Sequence, residues 1–164
     1  NGKENKTMKR FIAIIVAVLS LLALTACGSN AGETNKEIDI DSVKSKIISD
    51  LSIEGAMDVD AGRLIDLYGI EEKDIEKSAC YVTMDGVFPD EIVMIKATDA
   101  DAAKRIEEKL NKRLEEVKVQ SESYDAENYA LAQECKVIKE GNYVALFLSA
   151  KHADMEKIFQ DAAK

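Results

Sequence analysis

The chain has 164 residues, with 31 acidic and 22 basic side chains, a formal net charge of −9 and no tryptophan. This length is enough for one domain with a substantial core. The acidic balance argues against nucleic acid as a partner, because carboxylates repel phosphates instead of displacing their counterions.

Residues 1–26 are predicted to comprise upstream sequence and a signal peptide that is removed. Residues 1–7 precede Met8 and are left out of the fold prediction. Lys9 and Arg10 then provide two positive charges, and residues 11–24 (FIAIIVAVLSLLAL) are apolar except for one serine. This run is shorter than the roughly 20 residues that a membrane-spanning helix needs. A basic start followed by a short apolar run is typical of a signal peptide.

The four residues Leu24-Thr25-Ala26-Cys27 resemble the lipobox of bacterial lipoproteins. The resemblance implies cleavage between Ala26 and Cys27 and a diacylglyceryl lipid, with acyl chains such as palmitate, on the Cys27 thiol. The protein is then expected at the cell membrane, lipid-anchored on the extracytoplasmic face. The alternatives are an ordinary secretory signal with a chance cysteine, or an uncleaved N-terminal anchor.

Loss of residues 1–26 removes four basic side chains and one acidic one, which lowers the net charge from −9 to about −12. Such a chain has no basic patch with which to bind anionic lipids, so its attachment depends on the two acyl chains of the lipid. Residues 27–37 are small and polar and predict a flexible tether. Residues 38–164 are expected to form a single α+β domain.

Two helices are predicted at the start of this domain. Asp41 and Ser42 can cap the first, and its apolar positions fall on one face: Val43, Ile47, Ile48 and Leu51. The second is expected over residues 60–68, where Gly69 ends it. Its inward positions are Leu64, Ile65 and Tyr68. Residues 70–77 are predicted to be a turn that leads into the sheet.

A first hairpin follows. Residues 78–84 (SACYVTM) and 91–97 (EIVMIKA) are short β-rich runs, and the loop between them holds the only proline of the chain. Val87, Phe88 and Pro89 lie in this loop between acidic residues. Exposed apolar side chains in such a position predict an interaction tip, and packing of these side chains into the core is the alternative.

The long helix that follows has the clearest pattern in the sequence. Residues 98–101 (TDAD) fit a capping box with Asp101 in the acidic place. Its apolar stripe comprises Ala103, Ile106, Leu110, Leu114 and Val117. Opposite charges recur four residues apart on its outer face, as Lys104–Glu108, Glu108–Lys112 and Lys112–Glu116. Arg105 and Arg113 are also expected to form surface ion pairs.

The remaining elements include a second β-hairpin that is again followed by a helix. A short helix is predicted over residues 125–133, and a second hairpin over residues 135–139 and 143–150, around Gly141. A last helix is predicted to start at Asp154 and to bury Met155, Ile158 and Phe159. The order predicts an α+β fold: N-terminal helices followed by two ββα units, with a four-stranded antiparallel sheet and helices packed on one face.

No catalytic residue, cofactor or metal site is predicted. Cys80 and Cys135 lie in or beside predicted strands and form a candidate disulfide, since disulfides persist outside the cytoplasm. Two buried free thiols are the alternative. His152 is the only histidine and is interpreted as a solvated or helix-capping residue. Read as a calcium loop from Asp58, the sequence places Arg63 where the invariant glycine is needed, so the loop fails.

Two long stretches within residues 68–159 resemble a known family. They are EIVMIKATDADAAKRIEEKLNKRLEEVKVQSESYDAENYALAQ and GNYVALFLSA, and they look like the bacterial lipoprotein family carrying domain of unknown function 4358. The resemblance implies a small, lipid-anchored, extracytoplasmic α+β domain and supplies no catalytic residues. We therefore expect a non-enzymatic binding or accessory module of the bacterial cell envelope, with an envelope protein as its partner. The alternative is a small solute- or ion-binding lipoprotein.

Overall fold

An antiparallel six-stranded sheet with helices on both faces makes up the part of the chain that the computed structural model describes, residues 37–83 and 90–164. These residues belong to a unit that comprises Thr34–Lys164. The described helices are α1 (Ile40–Asp50), α2 (Leu64–Tyr68), α3 (Ala100–Glu122), α4 (Ala126–Glu134) and α5 (His152–Ala163). The strands are β1 (Met57–Val59), β2 (Ile75–Ser78), β3 (Cys80–Val82), β4 (Glu91–Ala97), β5 (Val137–Glu140) and β6 (Tyr143–Leu148).

The sheet has the strand order β1-β3-β4-β6-β5, and β2 also pairs with β4. β2 and β3 lie along the same neighbour, since Ser78 pairs with Ile95 and Tyr81 with Ile92. The backbone N–H of Ala79, between them, donates to the carbonyl of Met94 at 2.8 Å. The two segments therefore behave as one interrupted strand.

The predicted four-stranded sheet is wrong, although the α+β class is confirmed. β1 has only three residues and β2 reads IEKS, with two charged side chains. Neither segment is long or apolar enough to show the alternation of apolar and polar residues that identifies a strand in a sequence. β2 forms where a turn was predicted, because its backbone pairs with the second half of β4.

The prediction of helices on one face is also wrong, because the sheet is covered on both sides. Val93 and Ile95 of β4 pack into a first hydrophobic layer with α3, whereas Ile92 and Met94 pack into a second layer with α1 and α5. A strand buried on both faces needs a continuous apolar run. β4 (EIVMIKA) and β6 (YVALFL) have such runs, and this signal was available in the sequence.

Aspartates set the starts of three helices. The carboxylate of Asp99 accepts a hydrogen bond from the Ala102 N–H at 2.7 Å, so the cap of α3 lies one residue later than the predicted capping box. Asp39, and not Asp41 or Ser42, caps α1. Asp125 caps α4, which agrees with the helix predicted over residues 125–133. The apolar stripe predicted for α3 is confirmed, and all five of its residues are buried.

Several predictions lie outside the described residues. They concern the signal peptide, the cleavage site at Ala26 and Cys27, most of the tether, and the tip formed by Val87, Phe88 and Pro89. Among residues 37–83 and 90–164, no helix is long and apolar enough to cross a bilayer.

Candidate functional site

An open groove of about 750 Å³ lies between α1 and α5. Its apolar lining consists of Val43 and Leu51 on the α1 side and Ile158 and Ala162 on the α5 side. Lys151, just before α5, donates a hydrogen bond to the carbonyl of Leu51 at 2.6 Å. This contact joins the end of α1 to the start of α5, and we call the space between the two helices the α1–α5 groove.

The helical repeat explains why this groove has an apolar floor and a charged rim. On α5 the lining residues recur three or four positions apart, at Asp154, Lys157, Ile158, Asp161 and Ala162. The next positions around the same helix, Met155 and Phe159, are fully buried against the sheet. The groove thus follows the outer margin of an amphipathic stripe whose centre belongs to the core.

The rim of the groove is predominantly negative. It carries two lysines, Lys46 and Lys157, against five carboxylates: Glu37, Asp39, Asp50, Asp154 and Asp161. Hydrogen bonds to the carboxylates lower the pKa of three of them, from Ser42 to Asp39, from Lys46 to Asp50 and from Lys164 to Asp161. These three side chains are therefore ionised at neutral pH.

A second concave site lies on the other side of the sheet, where β1, α2 and α3 meet. This cavity of about 480 Å³, the α2–α3 cavity, has Met57, Val59, Leu67 and Val82 among its apolar lining residues. Tyr68, Glu91 and Arg113 contribute polar groups to the same cavity. It therefore combines apolar surface with a group of ionised and hydroxyl side chains.

Glu91 is the centre of the polar group in the α2–α3 cavity. Its side chain is only 12 % exposed and accepts two hydrogen bonds from Arg113, one of them 3.1 Å from Nε to Oε2. The Tyr68 hydroxyl donates to the same Oε2 at 3.3 Å. Burial, followed by the charge of Glu91, raises the pKa of the Tyr68 phenol, which stays protonated at neutral pH. Arg113 was predicted to form a surface ion pair, but it contacts the first residue of β4 in a half-buried setting.

The prediction for α2 holds in part. Leu64 and Tyr68 are buried, whereas Ile65 is 53 % exposed, so its expected inward position is wrong. α2 has only five residues and ends at Gly69, with φ of +68°. So short a helix buries a narrow stripe, and Ile65 falls beside that stripe and not within it.

Residues 49–149 match the model of a protein family described as Domain of unknown function (DUF4358). The chain belongs to this family. The match includes all six strands and helices α2 to α4, whereas α5 and most of α1 lie outside it. No curated protein and no solved structure matches the chain. The family predicted from the sequence is confirmed, and the lipid anchor stays a prediction.

The two cysteines of the DUF4358 domain are buried free thiols, which is the alternative to the predicted disulfide. The Cys80 thiol contacts the Met94 carbonyl at 3.8 Å, and the Cys135 thiol contacts the Leu131 carbonyl at 3.4 Å. Burial raises the pKa of Cys80 to about 12 and also raises the pKa of Cys135. Both thiols are thus held in the unreactive protonated form.

His152 is neither solvated nor a cap, because its side chain is only 13 % exposed within α5. Its Nδ1 lies 3.3 Å from Glu156 and its Nε2 lies 3.6 Å from Glu134. Lys136 completes the cluster with a contact of 3.0 Å to Glu156. Both ring nitrogens face carboxylates, so the imidazole is held between Glu134 and Glu156.

The acidic residues near β1 have structural partners. Asp58 forms an ion pair with Lys44 at 2.8 Å, and Asp60 accepts a hydrogen bond from the Arg63 N–H at 3.0 Å in a 3-10 turn. In the described part of the chain, no three His, Cys, Asp or Glu side chains form a group that could hold a metal ion.

The sequence patterns did not reveal the groove or the cavity. Each is built from segments far apart in the chain, such as residues 37–51 and 154–162 for the α1–α5 groove. A partial signal existed in the two amphipathic helices, since Leu51 and Ile158 were expected to face inward. They are only half-buried and form the floor of the groove.

Proposed function

We propose that this DUF4358 protein is a lipid-anchored, extracytoplasmic binding module that holds another cell-envelope protein at the α1–α5 groove. The observation that carries the proposal is the composition of this groove. An apolar floor surrounded by a charged rim is the usual arrangement of a surface at which proteins meet.

The anchor rests on the sequence around Cys27, with its basic start, apolar run and lipobox. Residues 27–37 would then connect the lipid to the domain and could span at most roughly 40 Å when fully extended. Glu37, the last residue of this stretch, lines the groove. The proposed lipid would therefore keep the groove near the membrane surface, within reach of membrane-bound partners.

We propose no catalytic role. Nucleophilic catalysis needs an activated nucleophile beside a base. Burial keeps the thiols of Cys80 and Cys135 protonated, and His152 faces Glu134 and Glu156. This combination favours a binding protein over a hydrolase or transferase built on these groups.

Photocrosslinking in native membranes tests the proposal. A benzoylphenylalanine in place of Lys46, on the rim of the groove, should give a discrete crosslinked species that contains a second envelope protein. The same residue in place of Lys112, an exposed position on α3, provides the matched control. Equal crosslinking from the two positions, or none from position 46, would contradict a partner at the groove.

A second candidate function is the binding of a small solute in the α2–α3 cavity. Its volume of about 480 Å³ falls within the range of roughly 300–1,000 Å³ that is usual for small-molecule sites. The ionised pair Arg113–Glu91 beside apolar walls suits a small polar organic molecule. A solute that binds there should raise the melting temperature of the wild type by mass action. It should not raise that of Leu67→Trp, in which the indole occupies the cavity.

A further inference from the structure

We infer that the α1–α5 groove accepts a basic amphipathic helix of the partner protein, with apolar residues toward the floor and lysine or arginine toward the rim. This inference rests on the proposed function and specifies the chemistry of the partner. The shape, the hydrogen-bonding groups and the charge of the groove each support it.

The dimensions of the groove fit a short helix. Its lining runs from Ser42 to Leu51 on one side and from Asp154 to Ala162 on the other. At a rise of 1.5 Å per residue, each side is roughly 12–14 Å long. A partner helix of about three turns spans this length and can place apolar side chains at i, i+3 or i+4 and i+7 on the floor.

The walls of the groove favour a helix over an extended peptide. Apart from Glu37, the lining residues belong to α1, to α5 or to the two capping positions of α1, Asp39 and Leu51. Outside their first and last turns, the backbone groups of both walls bond within these helices, and no strand of the described residues lines the groove. An extended segment would leave its N–H and C=O groups without partners there, whereas a helix satisfies its own.

The charge of the rim selects the partner's polar face. Five carboxylates face two lysines, and the chain as a whole is acidic. Four of the five carboxylates already pair with a lysine, and all four are solvent-exposed: Asp161 with Lys164 at 2.7 Å, Glu37 with Lys96 at 3.4 Å, Asp39 with Lys77 at 3.7 Å, and Asp50 with Lys46. Exposed pairs of this kind contribute little to stability, so these carboxylates can pair with incoming cations at low cost.

The same charge argues against other occupants. An acidic helix, or the acidic groove of a second copy of this chain, would place like charges opposite one another. An anionic membrane surface is disfavoured for the same reason. A cationic helix gains attraction at the rim and apolar contact at the floor.

Crosslinking of synthetic helices to the full-length protein in neutral detergent tests the inference. Two peptides of three to four turns have the same leucine face, and their polar face is either all lysine or all glutamate. With benzoylphenylalanine at position 46, the lysine peptide should crosslink roughly tenfold more than the glutamate peptide. At position 112 both peptides should give only background.

Charge reversal on the rim provides the decisive comparison. Asp154→Lys with Asp161→Lys should reduce crosslinking of the lysine peptide roughly tenfold and increase that of the glutamate peptide. The control, Glu108→Lys with Glu122→Lys, makes the same change in net charge on the exposed face of α3 and should leave both yields unchanged.

Equal yields of the two peptides at position 46, an equal effect of the two charge reversals, or crosslinked dimers of the protein itself would overturn the inference. Absence of any peptide crosslink at position 46 would overturn it as well. If the native-membrane experiment at position 46 still captures an envelope protein, only the partner's chemistry is wrong. If that experiment also fails, the proposed function fails with it.

Discussion

The guanidinium of Arg113 donates two hydrogen bonds to the carboxylate of Glu91, which joins the long helix α3 to the first residue of the central strand β4. Eight residues earlier on the same helix, Arg105 makes the same kind of two-fold contact with Asp74. Asp74 directly precedes β2, where Ile75 pairs with Ala97 at the end of β4. The two arginines therefore fix α3 at both ends of one strand, and the helix runs back along it.

Removal of the Arg113 side chain should destabilise the protein. Among residues 37–83 and 90–164, Arg113→Ala leaves the mostly buried carboxylate of Glu91 with the Tyr68 hydroxyl as its one hydrogen-bond partner, which should cost about 2 kcal/mol in the free energy of unfolding. Urea denaturation measures this cost. Lys112→Ala, next along the helix, removes only an exposed pair with Glu116 and should cost less than about 0.5 kcal/mol. Similar costs for the two variants would show that the Glu91 contact is not structural.

The pair Asp74–Arg105 should make stability depend on acidity. The hydrogen bonds from Arg105 lower the pKa of Asp74 below that of the unfolded chain. The unfolded state therefore binds a proton first as the pH falls. The contribution of Asp74 is complete well above the unfolded-state pKa of about 3.9 and is lost as the pH falls through the lower folded-state value.

Asp74→Asn should reveal this contribution. The variant should be less stable than the wild type at pH 7, and the difference in free energy of unfolding should shrink as the pH falls below about 4. Urea titrations at pH 7, 5, 4 and 3 measure it, with Asp154→Asn, an exposed position, as the control. A constant difference between wild type and Asp74→Asn over this range would contradict the account.

Much of the fold could be predicted where one segment carries its own signal. The stripe of α3, the stop at Gly69 and the hairpin of β5 and β6 around Gly141 all depend on neighbours within a few residues. β1 and β2 could not be found this way, since their strand conformation depends on pairing with β3 and β4. The groove depends in the same way on α1 and α5, which the sequence separates by about a hundred residues.

The number of free thiols in the protein can be measured directly. Cys80 and Cys135 are buried thiols, so the folded protein should react slowly with an aromatic disulfide reagent, and the denatured protein should release two equivalents. Cys27 should not contribute, because a lipid thioether has no free thiol. Absence of reactive thiols after denaturation would indicate a Cys80–Cys135 disulfide, and three equivalents would contradict the lipid.

Gly69 should be specifically required at the end of α2. Its φ of +68° lies in the left-handed region, and the nearest atoms that a Cβ would meet there belong to the Lys109 side chain, at an ordinary contact distance of 3.7 Å. The cost of Gly69→Ala therefore comes from the backbone and should be about 1 kcal/mol. Gly69→Asn should cost less, because asparagine tolerates this conformation. Thermal denaturation ranks the three proteins, and an asparagine variant no better than the alanine variant would contradict this explanation.

Mass spectrometry of the membrane fraction tests the central claim, that this DUF4358 protein is a lipid-anchored module, most directly. A lipid anchor requires a mature chain that begins at Cys27, with residues 1–26 removed and a diacylglyceryl group on the cysteine sulfur. A membrane-bound chain with its leader intact, or a secreted chain with a free Cys27 thiol, would contradict it.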